Sequence, residues 1–142
     1  IAGGQYLDLS FEKKKVSKTK IIQMQIKKTG KLFSFCSMVP GIIKNKDKKT
    51  INNFARIGYD IGLLFQITDD LIDFSGETKK VGKKTKKDHK QGKATLISLL
   101  GYENTVKYTN KLKLNLFKKL TKYGSKSKNI NESLEFILNR SR

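Results

Sequence analysis

Apolar residues recur along this chain at intervals of three and four, without the β-branched alternation of strands, so the pattern predicts helices from end to end. A short helix is expected over 3–12 and a basic turn over 13–17. A long helix should follow over 18–43, with Ile22, Ile26, Phe33 and Met38 among its apolar positions and a bend near Pro40, the only proline. A polar connector over 44–49 leads to a second long helix over 50–74. Its apolar residues Phe54, Ile57, Ile61, Leu64, Phe65, Leu71 and Ile72 cover so much of the circumference that it should be buried on most sides. The stretch 75–95 breaks the pattern, being rich in Gly and Lys, and reads as a long loop of the kind that is usually either functional or disordered. Helical spacing resumes over 94–101, over 103–123 with Val106, Leu112, Leu116, Phe117 and Leu120, and over 130–140 after a linker at 124–128. There is no internal repeat and no boundary, so 1–142 reads as one all-α unit.

Composition adds bounds. A chain of 142 residues with 37% hydrophobic content, 8 Phe and 5 Tyr can bury a core. No apolar run approaches the ~20 residues of a membrane span. The first residues, Ile1 to Leu9, are no signal peptide and read as the interior of a folded element, so the start of the protein is expected to lie upstream. The lone cysteine, Cys36, cannot form an internal disulfide; it fits a reducing, cytoplasmic setting and is expected to be a small buried hydrophobe.

The net charge of +19 calls for an anionic partner or reflects a solubilising lysine bias. All but three of the 31 basic residues are lysines, the arginines being Arg56, Arg140 and Arg142. Nucleic-acid readers lean on arginine for bidentate and stacked contacts, whereas lysine is a point charge suited to diphosphate oxygens and to solvent. A nucleic-acid surface is therefore not expected.

The chemistry concentrates in the second long helix. Asp69, Asp70 and Asp73 spell D-D-L-I-D, and helical geometry puts Asp69 and Asp73 on one face, one turn apart. Gln66, Gly62 and Gly58 continue that stripe toward the N-terminus. Stacked carboxylates repel, and paired hard oxygen ligands suit Mg²⁺, which shares its coordination between carboxylates, waters and substrate phosphates. The glycines leave room either for a ligand against the backbone or for close helix packing. The bland alternative, a solvated acidic turn, is at odds with the apolar neighbours Phe65, Ile67, Leu71, Ile72 and Phe74. A few residues on, 79–93 reads K-K-V-G-K-K-T-K-K-D-H-K-Q-G-K. Lysines there and a metal on the carboxylates would together cradle a diphosphate, although charge alone would equally give a solvated loop. His89 is read as a solvated loop residue.

These pieces in this order resemble the trans-isoprenyl diphosphate synthases, the farnesyl and geranylgeranyl diphosphate synthase family. Gly4-Gln5-Tyr6-Leu7-Asp8 resembles the family's G-Q-x-x-D, and Lys28-Thr29-Gly30 its K-T-G. Residues 65–73 resemble its second aspartate-rich motif, F-Q-x-x-D-D-x-x-D. Gly82, Lys83, Asp88 and Gly92-Lys93-Ala94-Thr95 resemble its loop G-K-x-x-G-x-D-x-x-x-G-K-x-T. The resemblance runs almost the whole length of the chain and implies the C-terminal part of the isoprenoid synthase helical bundle. It implies that Asp69 ligates Mg²⁺ (with Mn²⁺ as a substitute), supported by Asp70 and Asp73, with Asp88 reaching the water shell. It implies that Lys28 and Lys83 contact an allylic diphosphate, that Lys93 closes over the site, and that Thr29, Gln66, Gln5 and Asp8 line the cavity near the reacting carbon. Arg140 resembles the basic tail end of short-chain bacterial members. The reaction implied is ionisation of the allylic diphosphate and attack by isopentenyl diphosphate, in a homodimeric enzyme.

Three departures stand against the family pattern. Only one D-D-x-x-D occurs, so the family's first aspartate-rich motif is absent, and with it most of the isopentenyl diphosphate site. Lys86 replaces a loop glycine, and Lys27 stands where bacterial members often carry His. The expectation is thus a prenyltransferase fragment, inactive alone, with apolar cavity-facing surfaces left exposed. The alternative is a non-catalytic diphosphate-binding or regulatory subunit that completes its site with another chain.

Overall fold

The computed structural model describes residues 1–81 and 92–139, and among these every regular element is helical. The order is α1 (Ala2–Ser10), α2 (Lys18–Gln25), a π-helical turn (Ile26–Gly30), α3 (Lys31–Ile43), α4 (Lys48–Val81), α5 (Leu96–Leu100), α6 (Tyr102–Thr121), a 3₁₀ turn (Gly124–Ser127) and α7 (Lys128–Asn139). No helix of the described residues is long and apolar enough to cross a membrane.

The long α4 is the axis on which the rest is arranged. Asp47 caps its start: the Thr50 hydroxyl and backbone N–H donate to the two carboxylate oxygens at 2.7 and 2.9 Å. Those bonds hold the Asp47 carboxyl below its ordinary range, so this cap is present in the neutral range and is lost as acidification carries the group through its lowered folded value. One side of α4 gives Leu63 and Ile67 to a cluster with Ile21 of α2, Leu96 of α5 and Ala94 just before α5. Another side gives Ile57 and Leu64 to a cluster with Leu116 and Leu120 of α6 and Leu134 of α7. The expectation that α4 is covered on most sides is met. Ile67 is fully buried, so Ile67→Val, which removes one methylene, should cost about 1 kcal/mol, read from the urea midpoint at unchanged m-value.

A third side of α4 carries little side chain. A Cβ on Gly58 would stand 2.5 Å from the Phe33 carbonyl oxygen, and one on Gly62 would stand 2.6 Å from Gly30 Cα. Here α3 and the π turn pack backbone to backbone on α4, so of the two roles open to these glycines, close packing is the one realised.

Four expectations need correction. The helix expected over 18–43 contains a π turn at Ile26–Gly30; one inserted residue does not disturb an apolar pattern enough to be read from spacing. The helix expected to stop at Phe74 runs on to Val81. Ser75 donates its hydroxyl to the Leu71 carbonyl at 2.9 Å within the helix, and Gly76 is followed by residues with adequate helix propensity. The loop expected over 75–95 therefore begins later, and residues 82–91 lie outside the described part. Cys36 is exposed rather than buried: on α3 the small residues Ser34 and Gly41 are the buried ones, which leaves Cys36 on the outer side with Leu32 and Phe35. By contrast, and in line with expectation, α1 and α3 each carry large exposed apolar side chains, Tyr6 and Leu9 on the first and Leu32, Phe35 and Ile43 on the second.

Candidate functional site

The π turn is where the chemistry-bearing residues meet. Gly4 lets α1 approach it so closely that a Cβ there would lie 2.1 Å from the Lys28 backbone nitrogen. Asp8, one turn further along α1, then receives the Lys28 ammonium in an ion pair, both side chains being partly buried. On the other side of the turn, Gly30 lies against Gly62, which brings Thr29 within reach of α4.

From Thr29 a line of polar contacts runs along α4. The Thr29 hydroxyl donates to Gln66 Oε1 at 3.1 Å. Gln66 Nε2 donates to Asp70 Oδ1 at 3.4 Å, and Gln25 Nε2 of α2 donates to Asp70 Oδ2 at 3.1 Å. Asp70 is thus held by two amides from different helices. The stripe that faces α3, the π turn and α2 in succession is Gly58, Gly62, Gln66 and Asp70, a strict i, i+4 row. The residues expected at its end were Asp69 and Asp73; they sit on α4 one turn from each other, half-buried. Gln25 was not singled out from the sequence. It is 45 residues from Asp70, and nothing local separates it from its exposed neighbour Gln23. Gln25 is nearly fully buried, and its Oε1 meets no donor among the described residues. Gln25→Leu should leave one Asp70 oxygen short of a donor and cost about 1 kcal/mol in a chemical denaturation series.

Of the other sequence-derived residues, Gln5 is exposed on α1, and Lys93 is exposed just before α5. Lys83, Asp88 and Arg140 lie outside the described residues, as does His89. A cleft of about 890 Å³ opens beside the Asp70 end of the array, lined by Asp70 and Phe74 of α4, by Lys93 and by the turn after α1.

The donors can be tested against a divalent metal. Among the described residues no three acidic, histidine or cysteine side chains converge as a closed cage. Mg²⁺ does not need one, since it binds through one or two carboxylates and fills the remaining positions with waters and phosphate oxygens. Hard carboxylate oxygens stacked on one helix, beside an open cleft, fit that mode.

A polyprenyl synthetase family model matches residues 1–134. The farnesyl diphosphate synthase of Micrococcus luteus is 36% identical over 107 residues, which are 75% of this chain and 37% of that one. The geranylgeranyl diphosphate synthase of Cyanophora paradoxa is 32% identical over 141 residues, 99% of this chain and 47% of that one. Among solved structures, an FPP/GFPP synthase from Zymomonas mobilis superposes with a TM-score of 0.78 at 33% identity, covering 96% of this chain and 44% of that one. A Helicobacter pylori geranyltransferase complexed with magnesium and isoprenyl diphosphate superposes with a TM-score of 0.75 at 28% identity, covering 97% and 45%. The chain spans less than half the length of each of these four.

Proposed function

This chain belongs to the polyprenyl synthetase family, and from that premise we propose that it forms the diphosphate-ionising half of a Mg²⁺-dependent prenyltransferase. The observation that carries the reading is the line of contacts from Thr29 of the π turn, next to the Lys28–Asp8 ion pair, to Gln66 and on to Asp70 on α4, the helix that also bears Asp69 and Asp73. In this reading the substrate is an allylic diphosphate and the acceptor is isopentenyl diphosphate.

Asp69, Asp70 and Asp73 would hold the metal, and Asp88 would reach its water shell. Bound Mg²⁺ supplies a positive charge that stabilises the diphosphate as it leaves. Lys28 and Lys83 donate to the diphosphate oxygens, and Lys93 covers them from the rim. The Asp8 carboxylate keeps the Lys28 ammonium at a fixed place on the wall, so little reorganisation is needed when the leaving charge develops. Gln66, whose amide is held by Thr29 and Asp70, would line the cavity near the reacting carbon together with Gln5. Arg140 acts near the chain end as a further cation. The cation formed by ionisation survives only away from water, which requires the apolar faces of α1 and α3 to be covered by further helices.

The single D-D-x-x-D implies that this chain alone does not turn over and needs a helical half with another aspartate-rich motif, supplied in the same polypeptide or by a partner. The test is prenyl transfer from labelled isopentenyl diphosphate to dimethylallyl diphosphate with Mg²⁺. The chain alone should give no product, and addition of such a half should give it. Product from the chain alone, or Mg²⁺-independent product, overturns the proposal. The other reading is a non-catalytic diphosphate-binding subunit. That reading predicts Mg²⁺-dependent diphosphate binding with no product in either case.

A further inference from the structure

The turn after α1 is built at a conformational cost. Lys13 has φ +57°, the left-handed region that disfavours side chains other than glycine. It is held there by its backbone N–H, which donates to the Gly92 carbonyl at 2.7 Å. That bond pins the three consecutive lysines of the turn, Lys13, Lys14 and Lys15, beside Lys93, and all four line the cleft together with Asp70. Among the described residues Asp70 is the only carboxylate in that lining, and its oxygens already accept from Gln25 and Gln66. None of the four lysines makes an ion pair with a described residue. The cleft floor is apolar, with Ile21, Phe74 and Ile97. Four exposed ammonium groups, three on the strained turn and Lys93 beside it, make a positive rim that attracts an anion. The volume suits a small phosphorylated molecule, and the floor suits an apolar tail.

We propose that Lys13, Lys14 and Lys15, together with Lys93, form an anion-binding wall at the rim of the site that takes a diphosphate group. The wall deepens the function proposed above and rests on it for the identity of the ligand. The diphosphate has two sources, the headgroup of a prenyl diphosphate and the inorganic pyrophosphate that leaves it.

The test is equilibrium titration of the full chain with inorganic pyrophosphate and with dimethylallyl diphosphate, at low ionic strength, with EDTA and then with Mg²⁺. The turn variant is Lys13→Gly/Lys14→Ser/Lys15→Ser, in which glycine suits the positive φ. A second variant, Lys14→Ser/Lys15→Ser, leaves Lys13 in place. The control Lys107→Ser/Lys111→Ser/Lys118→Ser removes equal charge from α6. With EDTA, the turn variant should bind pyrophosphate roughly tenfold more weakly, the double variant should follow in part, and the control should stay within about twofold. An equal loss for dimethylallyl diphosphate assigns the wall to the headgroup; a loss for pyrophosphate alone assigns it to the leaving group. Equal changes in turn variant and control, or no change in either, overturn the wall. An Asp69→Asn variant separates the two proposals. If it removes the Mg²⁺-dependent increment while the turn variants bind normally, the wall fails and the metal reading stands. If wild type shows no such increment but the turn variants bind weakly, the metal reading fails and the wall stands.

Discussion

Asp69→Ala, in an assembly that carries out prenyl transfer, should lower kcat by about two to three orders of magnitude while KM for the allylic substrate moves little. The carboxylate belongs to the stacked pair Asp69 and Asp73 on α4, beside an Asp70 that two amides already hold. The negative charge on the diphosphate grows only as the carbon–oxygen bond breaks, so a metal contact there acts mostly on the transition state. Asp69 is half-buried, and a thermal melt should show the variant still folded, which keeps the kinetic loss interpretable. Steady-state kinetics at saturating Mg²⁺ checks the outcome; unchanged kcat under those conditions removes Asp69 from the metal site. Lys113→Ala is the control. Lys113 meets Glu135 at 3.4 Å on α7, both partners are substantially exposed, and such pairs contribute about 0.5 kcal/mol, so turnover should be unaffected.

Gly4→Ala should lower stability by about 3 kcal/mol, which for a chain of this size is a fall in Tm of roughly 10 °C. Helix propensity argues for the opposite sign, since alanine in a helix is favoured over glycine by about 1 kcal/mol. Packing decides. The added Cβ would meet Lys28 N at 2.1 Å, Lys28 Cα at 2.3 Å and the Lys27 carbonyl carbon at 2.5 Å. All three are backbone atoms, which cannot rotate away, so α1 and the π turn must move apart. The Lys28–Asp8 pair and the Thr29–Gln66 bond hang on that turn, so prenyl transfer by an active assembly should fall along with stability. Gly3 is the internal comparison: a Cβ there meets nothing within 4 Å, so Gly3→Ala should be neutral or stabilising by up to about 1 kcal/mol. Opposite signs for two adjacent glycines in paired thermal melts are the expected result; equal behaviour would mean that the α1–π turn contact does not form.

Much of this was legible in the chain because it is local. Helix type follows from apolar spacing, and the family from short motifs at Gln5, Lys28, Gln66 and Asp69 whose order is a property of the sequence. The helix ends were less legible: α4 outruns Phe74 by seven residues because Gly76 reads as a break. The glycine-faced row was visible at Gly58 and Gly62, but its continuation to Asp70 depends on which side of α4 the π turn lies against.

The sequence by itself determined that the protein is helical, that it carries one aspartate-rich motif flanked by lysines, and which family it resembles. Only the tertiary structure decided that Gly4 and Gly62 exist for backbone contact, that Gln25 holds Asp70 across 45 residues, and that Cys36 faces outward. The division has a physical reason. Periodicity and motif order are set by residues within a few turns of one another. A Cβ clash or a hydrogen bond between distant helices depends on how those helices dock, which no local spacing encodes.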